Sequence, residues 1–210
     1  MKYEIGEQRP ANLKAYWPGQ FDIFSHFEYL SGVPHAVFLI TTRKENGKTN
    51  ACYHSWSAFG GDSGGFFAVL NGLMQHTHTY KNILREKAFC INFLSSAYDA
   101  HCHKTIANNA EDADEIEAAG LTGEPARLVC APRIKEAFLT FECTLQSSAD
   151  LSGKGITALV VGKVVNAAVD ATHRDIAAVA EHFTYYIHAP KDPATGEGEA
   201  EAHAKLMPYA

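Results

Sequence analysis

Residues 36–57 read AVFLITTRKENGKTNACYHSWS, and this stretch decides the fold class of the chain. Residues 36–42 are almost wholly apolar and include β-branched side chains, which predicts a buried strand. Asn46-Gly47 predicts a tight hairpin, because this dipeptide accepts the positive φ angles that such a turn requires. Residues 49–57 are therefore expected to return as a second strand.

Further strands follow on the C-terminal side of this hairpin. Apolar runs predict strands at 66–70, 88–94, 137–146, 156–166 and 184–187. Residues 60–65 contain four glycines, which predicts a flexible loop, and Gly162 predicts a bend or bulge within its strand. About six strands arranged around hairpins predict a mainly β protein, a small antiparallel barrel and not a doubly wound sheet.

A few helices are predicted between and beside these strands. Thr79 is a candidate N-cap for a two-turn helix over residues 80–87. Residues 95–120 predict a helical insertion, and residues 175–181 a short helix. We expect an N-terminal arm at 1–31, a main domain at 32–189 and a C-terminal tail at 190–210.

Composition narrows the classes of function. A net charge of −6 argues against nucleic acid as the main partner, because nucleic-acid-binding proteins usually carry a basic stripe. No apolar run approaches the roughly 20 residues that span a bilayer, and the N-terminus lacks the apolar core of a signal peptide. The expected location is the cytoplasm, without a membrane partner. Five cysteines without a CxxC pair predict free thiols and not disulfides.

Two segments carry candidate binding residues. Thr77, Thr79 and Asn82 surround a predicted helix N-terminus, where unpaired N–H groups and hydroxyls suit a phosphate, although threonine capping alone explains Thr79. The strand at 50–56 alternates its side chains, so Asn50, Cys52, His54 and Trp56 are expected to share one face. Such a strand suits a flat heterocycle; the alternative is an ordinary half-buried strand.

Other patterns predict little. His76, His78 and the triplet His101-Cys102-His103 lack the ligand pairs two to four residues apart that structural zinc sites prefer, so no metal is predicted. Gly61-Asp62-Ser63-Gly64-Gly65 matches the nucleophile string of trypsin-like proteases. In those proteases the string follows the catalytic His and Asp, whereas here it lies in the first third of the chain. We therefore interpret the match as coincidence.

Taken in order, these segments resemble the flavin reductase-like family, which includes flavoredoxins and small reductase components of flavin-dependent monooxygenases. The resemblance covers residues 32–186. It rests on residues that follow one another in the family's order: Pro34, Thr41-Thr42, Gly47, Asn50-Ala51, Ser55, Thr77, Thr79, Asn82-Ile83 and Ile91-Asn92. It implies an FMN-binding split β-barrel with Greek-key-like strands.

The resemblance also implies a cofactor and a site. FMN, with FAD as the alternative, is expected along the second strand, and NADH or NADPH is the expected reductant. The implied cofactor-binding residues are Asn50, Ala51, Cys52, His54, Ser55, Trp56, Asn71, Thr77, Thr79 and Asn82. No catalytic acid or base is assigned, because the redox chemistry belongs to the flavin. A homodimer is implied, with Tyr185 or Tyr186 approaching the cofactor.

Two departures from the family pattern stand out. Family members often place Lys or Arg shortly before the threonine segment, where this chain has Met74 and Gln75, and Lys81 is a candidate substitute. The usual Asp-Pro-Pro is replaced by residues 62–65. Three functions stay open: an NAD(P)H-dependent flavin reductase, a flavoredoxin-type FMN electron-transfer protein without nicotinamide turnover, and a non-catalytic flavin- or heme-binding barrel. The electron acceptor is also left open, and a protein is one candidate.

Overall fold

A computed structural model describes residues 2–107, 110–173, 183–187 and 191–198 of the protein. The chain divides into two compact units, one from residues 1–35 and 185–210 and one from residues 36–184. The helix predicted at 175–181 and the end of the tail, from residue 199, lie outside the described residues. Within the described residues, no helix is both long enough and apolar enough to cross a membrane.

The protein is mainly β, as predicted. Its strands are β1 His35–Ala36, β2 Phe38–Arg43, β3 Thr49–His54, β4 Ser57–Asp62, β5 Gly65–Met74, β6 Ala88–Phe93, β7 Gly123–Glu124, β8 Arg133–Ile134, β9 Leu139–Ala149, β10 Thr157–Val169 and β11 Tyr185–Tyr186. Its α-helices are α1 Gln20–Ile23, α2 Glu28–Ser31, α3 His78–Glu86, α4 Asp99–Ala107 and α5 Glu115–Ala118, with 3₁₀ turns at Ser96–Tyr98 and Ala171–His173.

Seven strands form one antiparallel sheet in the order β3-β2-β6-β9-β10-β5-β4. The two edge strands, β3 and β4, are consecutive in the chain and joined only by Ser55 and Trp56. The sheet therefore curls until its edges meet at one end. Phe59 of β4 lies with its ring centroid 5.8 Å from that of Phe38 on β2, which closes the core between the two edges.

Both faces of β2 are buried, which explains the apolar run that predicted it. Phe38 and Ile40 point into a cluster that fills the barrel. Leu39 points to a second cluster, which includes Ala51 of β3 and Ile116 of α5. Because successive residues of a strand face opposite sides, a strand covered on both sides needs apolar residues at every position.

The glycine-rich segment is a β-hairpin, so its prediction as a flexible loop was wrong. β4 pairs with β5, from Ser57 opposite Leu70 to Asp62 opposite Gly65. In the turn, the Asp62 carboxylate accepts a hydrogen bond from the N–H of Gly64 at 2.7 Å. A Cβ atom added at Gly61 would stand 2.0 Å from the Gly65 carbonyl oxygen. Gly61 therefore permits the close approach of the two backbones.

The prediction of a bulge at Gly162 is confirmed. The register between β10 and β9 shifts between Val161 and Gly162. A Cβ atom at Gly162 would lie 2.4 Å from Cζ of Phe89, which belongs to the barrel core. The missing side chain therefore leaves room for a core aromatic ring.

Candidate functional site

Asn50 and Cys52 lie on the face of β3 that meets α3, whereas Ala51 lies on the opposite face, in the second apolar cluster. Asn50 is buried and donates a hydrogen bond from Nδ2 to Oγ1 of Thr79 at 2.8 Å. Cys52 follows on the same face, and burial raises the pKa of its thiol to about 11. The structure therefore brings the strand and helix candidates into one polar cluster, in which Asn50 and Thr79 are hydrogen-bonded to each other.

Helix α3 begins two residues earlier than predicted. Its N-cap is Thr77 and not Thr79: Oγ1 of Thr77 accepts the N–H of Tyr80 at 3.4 Å and donates to the Met74 carbonyl at 2.8 Å. Thr79 is instead a buried residue of the first turn. The N–H groups of His78 and Thr79 have no acceptor within the helix, which makes this end a local donor of hydrogen bonds.

Asn82 lies deeper and holds α3 to the sheet. Its Nδ2 donates to Oγ1 of Thr42 at 3.0 Å, and its Oδ1 accepts from Nη1 of Arg85 at 3.0 Å. Arg85 in turn donates to the Arg43 carbonyl at the end of β2. The contacts of the Asn82 side chain are thus internal, and they fix the position of the α3 N-terminus relative to β2.

The junction between β3 and β4 holds the other predicted residues. His54 and Ser55 are buried, Trp56 is half-buried, and the Asn71 side chain is exposed on β5. The N–H of Asn71 donates to the Trp56 carbonyl at 2.8 Å. The Ser55 hydroxyl makes no hydrogen bond to the residues that the structure describes, so it remains a potential donor and acceptor.

Gly72 gives the junction its shape. It has a φ of +70°, and a Cβ atom there would stand 3.5 Å from the Trp56 ring. The indole therefore packs directly on the Gly72 backbone, and its ring centroid lies 6.0 Å from that of His54. The arrangement fixes the indole against β5, one residue after Ser55.

The sequence did not predict what covers the free edge of β3. Glu115 accepts the Ala51 N–H at 3.0 Å, and Asp114 accepts the Thr49 N–H at 3.3 Å and the Thr49 hydroxyl. Lys44 is fully buried and pairs with Glu115 at 2.9 Å. Side-chain carboxylates thus replace a neighbouring strand, and no sequence signal indicated this, because a lysine beside a turn is ordinarily exposed.

The covering segment also reaches α3. Nε2 of His78 lies 2.8 Å from Oε2 of Glu111, and its Nδ1 lies 3.8 Å from Oε1 of Glu115. One flank of the α3 N-terminus therefore carries two carboxylates.

Other features lie apart from these residues. A cavity of about 540 Å³ opens between Arg43, Asp114, Leu121 and Cys130, and none of the ten predicted residues lines it. His101 contacts the Ala119 carbonyl at 2.8 Å. The described residues contain no group of three or more His, Cys, Asp and Glu side chains that could hold a metal ion.

Comparison with known proteins identifies the family to which the chain is similar. A family model described as flavin reductase like domain matches residues 30–186. A curated relative, an uncharacterized protein of Aquifex aeolicus (strain VF5), is 42% identical over 67 residues. That match covers 32% of this chain and 34% of the relative, so it spans about a third of the relative's length.

Solved structures share the fold. Nitrilotriacetate monooxygenase component B from Bacillus cereus superposes with a TM-score of 0.70 at 18% identity, covering 90% of this chain and 99% of that one. A flavin reductase-type protein with a split barrel domain from Shewanella frigidimarina NCIMB 400 gives 0.67 at 23% identity, covering 94% and 100%. The predicted fold class, a mainly β split barrel, is confirmed.

Proposed function

The chain belongs to the flavin reductase-like family, and from this membership we propose that it binds FMN and transfers electrons from NADH or NADPH to an acceptor. Family membership supports a flavin-related oxidoreductase function in general. FMN as the flavin, the nicotinamide as the reductant and the ten predicted residues as the site are parts of our proposal.

The single observation that carries the proposal is that the β3–β4 junction and the α3 N-terminus both adjoin the end of β5: Trp56 packs on Gly72, and Thr77 donates to the Met74 carbonyl. Trp56 packs on Gly72 and offers an aromatic surface, and the Ser55 hydroxyl is unpaired within the described residues. The first-turn N–H groups of α3 can donate hydrogen bonds to an anion. A flat ring with a phosphate on a flexible chain matches this donor set.

The predicted residues take two roles in the proposed site. Ser55, Trp56 and the N–H groups of the first turn of α3 contact the flavin and its phosphate, and Thr77 holds that turn as its N-cap. Hydrogen bonds of Asn50, Thr79 and Asn82 hold α3 against β3 and β2. They thereby position the N–H groups of the first turn of α3. The flavin, when bound, supplies the redox chemistry, and the chain supplies binding and orientation.

The test is spectroscopic. Purified protein is incubated with FMN, freed of unbound flavin by gel filtration, and then mixed anaerobically with NADH or NADPH. We expect the oxidised-flavin absorption band to be retained with the protein and to bleach on addition of one nicotinamide. A band that persists with both nicotinamides would overturn the reductase assignment, and protein that retains no flavin would overturn the cofactor assignment.

We further infer a homodimer, because members of this family place the cofactor at a subunit interface. Large apolar side chains exposed on β5 and β10 support this inference: Phe66, Val165 and Val169. Sedimentation equilibrium is expected to give twice the chain mass of 22.9 kDa. A monomer at micromolar concentration would contradict the inference.

A further inference from the structure

The side chain of His78, the first residue of α3, lies between two carboxylates of the segment that covers the edge of β3. Its Nε2 lies 2.8 Å from Oε2 of Glu111, and its Nδ1 lies 3.8 Å from Oε1 of Glu115. A neutral imidazole has a single N–H, so one of its nitrogens would direct a lone pair at a carboxylate. An imidazolium has an N–H for each carboxylate, and the geometry therefore favours the protonated form.

Two atoms of this arrangement need a hydrogen-bond partner. Nδ1 of His78 and Oε1 of Glu115 are both buried, and neither makes a hydrogen bond to the residues that the structure describes. Lys44 lies 2.9 Å from Oε1 of Glu115 as an ion pair, without the alignment of a hydrogen bond. A proton on Nδ1 therefore places an N–H at ion-pair distance from an acceptor that lacks a donor.

The charges around His78 balance when its imidazole is protonated. Lys44 and Glu115 are almost fully buried and neutralise each other. Within the described part of the chain, Glu111 forms an ion pair with His78 and with no other cation. The Cys52 thiol, which acts on Glu115 from β3, stays neutral near pH 7 because burial raises its pKa to about 11. A proton on His78 therefore supplies the positive charge that Glu111 lacks.

The other charged groups of these elements are occupied or exposed. The Asp114 carboxylate accepts the N–H and the hydroxyl of Thr49. The remaining charged or titratable side chains close to this cluster in sequence are exposed: Glu45, Lys48, His76, Lys81 and Asp112. Histidine is the side chain whose charge ordinarily changes between about pH 5 and 8, so His78 is the group of this buried cluster that titrates there.

The covering segment, residues 110–115, is fixed to the β2–β3 hairpin without His78. Lys44 donates to the Ala110 carbonyl at 2.7 Å, and Nδ2 of Asn46 donates to the Glu111 carbonyl at 2.8 Å. The contact of His78 therefore connects the first turn of α3 to a segment that the sheet already holds in place.

The first turn of α3 is closed by long hydrogen bonds. The N–H groups of Tyr80 and Lys81 both donate to Thr77, at 3.4 Å to its hydroxyl and at 3.3 Å to its carbonyl. Bonds of this length are weaker than those of about 2.9 Å. A side-chain contact that holds the turn therefore changes how often these two bonds open.

We propose that His78 is a positioning residue of the flavin site. Its imidazolium holds the first turn of α3 to residues 110–115, and loss of the proton as the pH rises releases that turn and weakens FMN binding. The contribution of a protonated histidine is complete below its titration range and disappears as the pH rises through that range. The proposal rests on the proposed function, because the N–H groups of this turn are among the donors proposed for the flavin.

Amide hydrogen exchange tests the contact in the protein without flavin. Protection factors of the Tyr80 and Lys81 amides are compared at about pH 6 and pH 8, after correction for the intrinsic exchange rate. We expect them to fall about fivefold in the wild type, to be low at both pH values in His78→Gln, and to stay high at both in His78→Lys. The matched control is His103→Gln, which replaces an exposed histidine beside Asp99 on α4 and should behave as the wild type.

FMN binding tests the consequence for the site. The affinity is measured by quenching of flavin fluorescence at the same two pH values and expressed relative to His78→Lys, so that ionisation of the FMN phosphate cancels. We expect the relative affinity of the wild type to fall about fivefold at the higher pH, and that of His78→Gln to be low at both. Glu111→Gln, which removes the partner of Nε2, should abolish the pH dependence.

The outcomes separate this proposal from the proposed function. Protein that binds no FMN overturns the proposed function, and the exchange measurement still decides whether His78 holds the turn. Wild-type protection factors that do not change with pH overturn the role of His78, even where FMN binds. A pH dependence of FMN binding that survives in Glu111→Gln assigns the effect to a direct contact between His78 and the flavin, and also overturns the proposal.

Discussion

Two glycines of the sheet differ in what surrounds them. Gly162 faces Phe89 and Cys143, and a Cβ atom added there would lie only 2.4 Å from the Phe89 ring, whereas nothing lies within 4 Å of a Cβ at Gly60. The sequence predicts the bulge at Gly162 from its place in an apolar run. It cannot predict which ring fills the space, because Phe89 lies far away in the chain and only strand pairing brings it close.

Gly162→Ala is expected to lower the free energy of unfolding by about 2–3 kcal/mol, because the added methyl overpacks the barrel core. Gly60→Ala is the matched control and should change it by less than about 0.5 kcal/mol. Urea denaturation of both variants measures the difference. Equal effects of the two substitutions would mean that the Phe89 contact does not constrain Gly162.

Glu142 is a buried carboxylate with a structural task. It accepts the N–H groups of Arg127 and Leu128 at 2.9 and 2.7 Å, and Nδ2 of Asn166 at 3.0 Å. Burial alone would raise the pKa of this carboxyl, but these donors hold it below its ordinary value of 4.5. The ionised form therefore stabilises the loop before β8.

This depressed pKa predicts a pH dependence. A group with a lowered pKa in the folded state contributes its full stability above the unfolded pKa, and loses it as the pH falls toward the folded value. Glu142→Gln should cost about 2 kcal/mol at pH 7, and the gap to the wild type should shrink below pH 4.5. A gap that stays constant in urea denaturation from pH 7 to acid would contradict this role.

At the scale of elements, the local sequence pattern determines which elements form, and tertiary contacts determine where they begin and what covers them. The existence of α3 follows from the sequence, but its start does not. Thr77 and Thr79 are equal candidates by residue type, and the choice is made by Asn50, which lies on β3 and binds Thr79. The same holds for the free edge of β3, whose partners Asp114 and Glu115 come from the helical insertion.

The segment that covers this edge depends on Lys44. Its Nζ pairs with Glu115 and donates to the carbonyls of Ala110 and Ala113 at 2.7 and 2.9 Å. Lys44→Met should lower the free energy of unfolding by about 3–5 kcal/mol, because it leaves the Glu115 charge buried and unpaired. Hydrogen exchange should quicken at the Ala51 amide.

A double variant isolates the charge from the packing. Lys44→Met with Glu115→Gln removes both charges and retains an acceptor for Ala51, so it should be more stable than Lys44→Met alone. If the double variant loses as much as both single variants combined, the pair does not act through its charge.

At the scale of the whole molecule, the sequence predicts the barrel because apolar alternation and turn residues are local signals. It also predicts the candidate residues through their order along the chain. It does not predict that Thr79 and Asn82 turn inward, or that residues 150–156 stand beside Gln75, because both result from pairing between distant strands. The cytoplasmic location stays a prediction.

The central claim is that the β3–β4 junction beside α3 holds the flavin. The chain has two tryptophans, Trp17 and Trp56, so Trp17→Phe leaves Trp56 as the sole indole emitter. FMN is titrated into this variant while indole emission and flavin fluorescence are recorded together. We expect Trp56 emission to be quenched saturably, with one FMN bound per chain. Flavin binding that leaves the Trp56 emission unchanged would contradict the account.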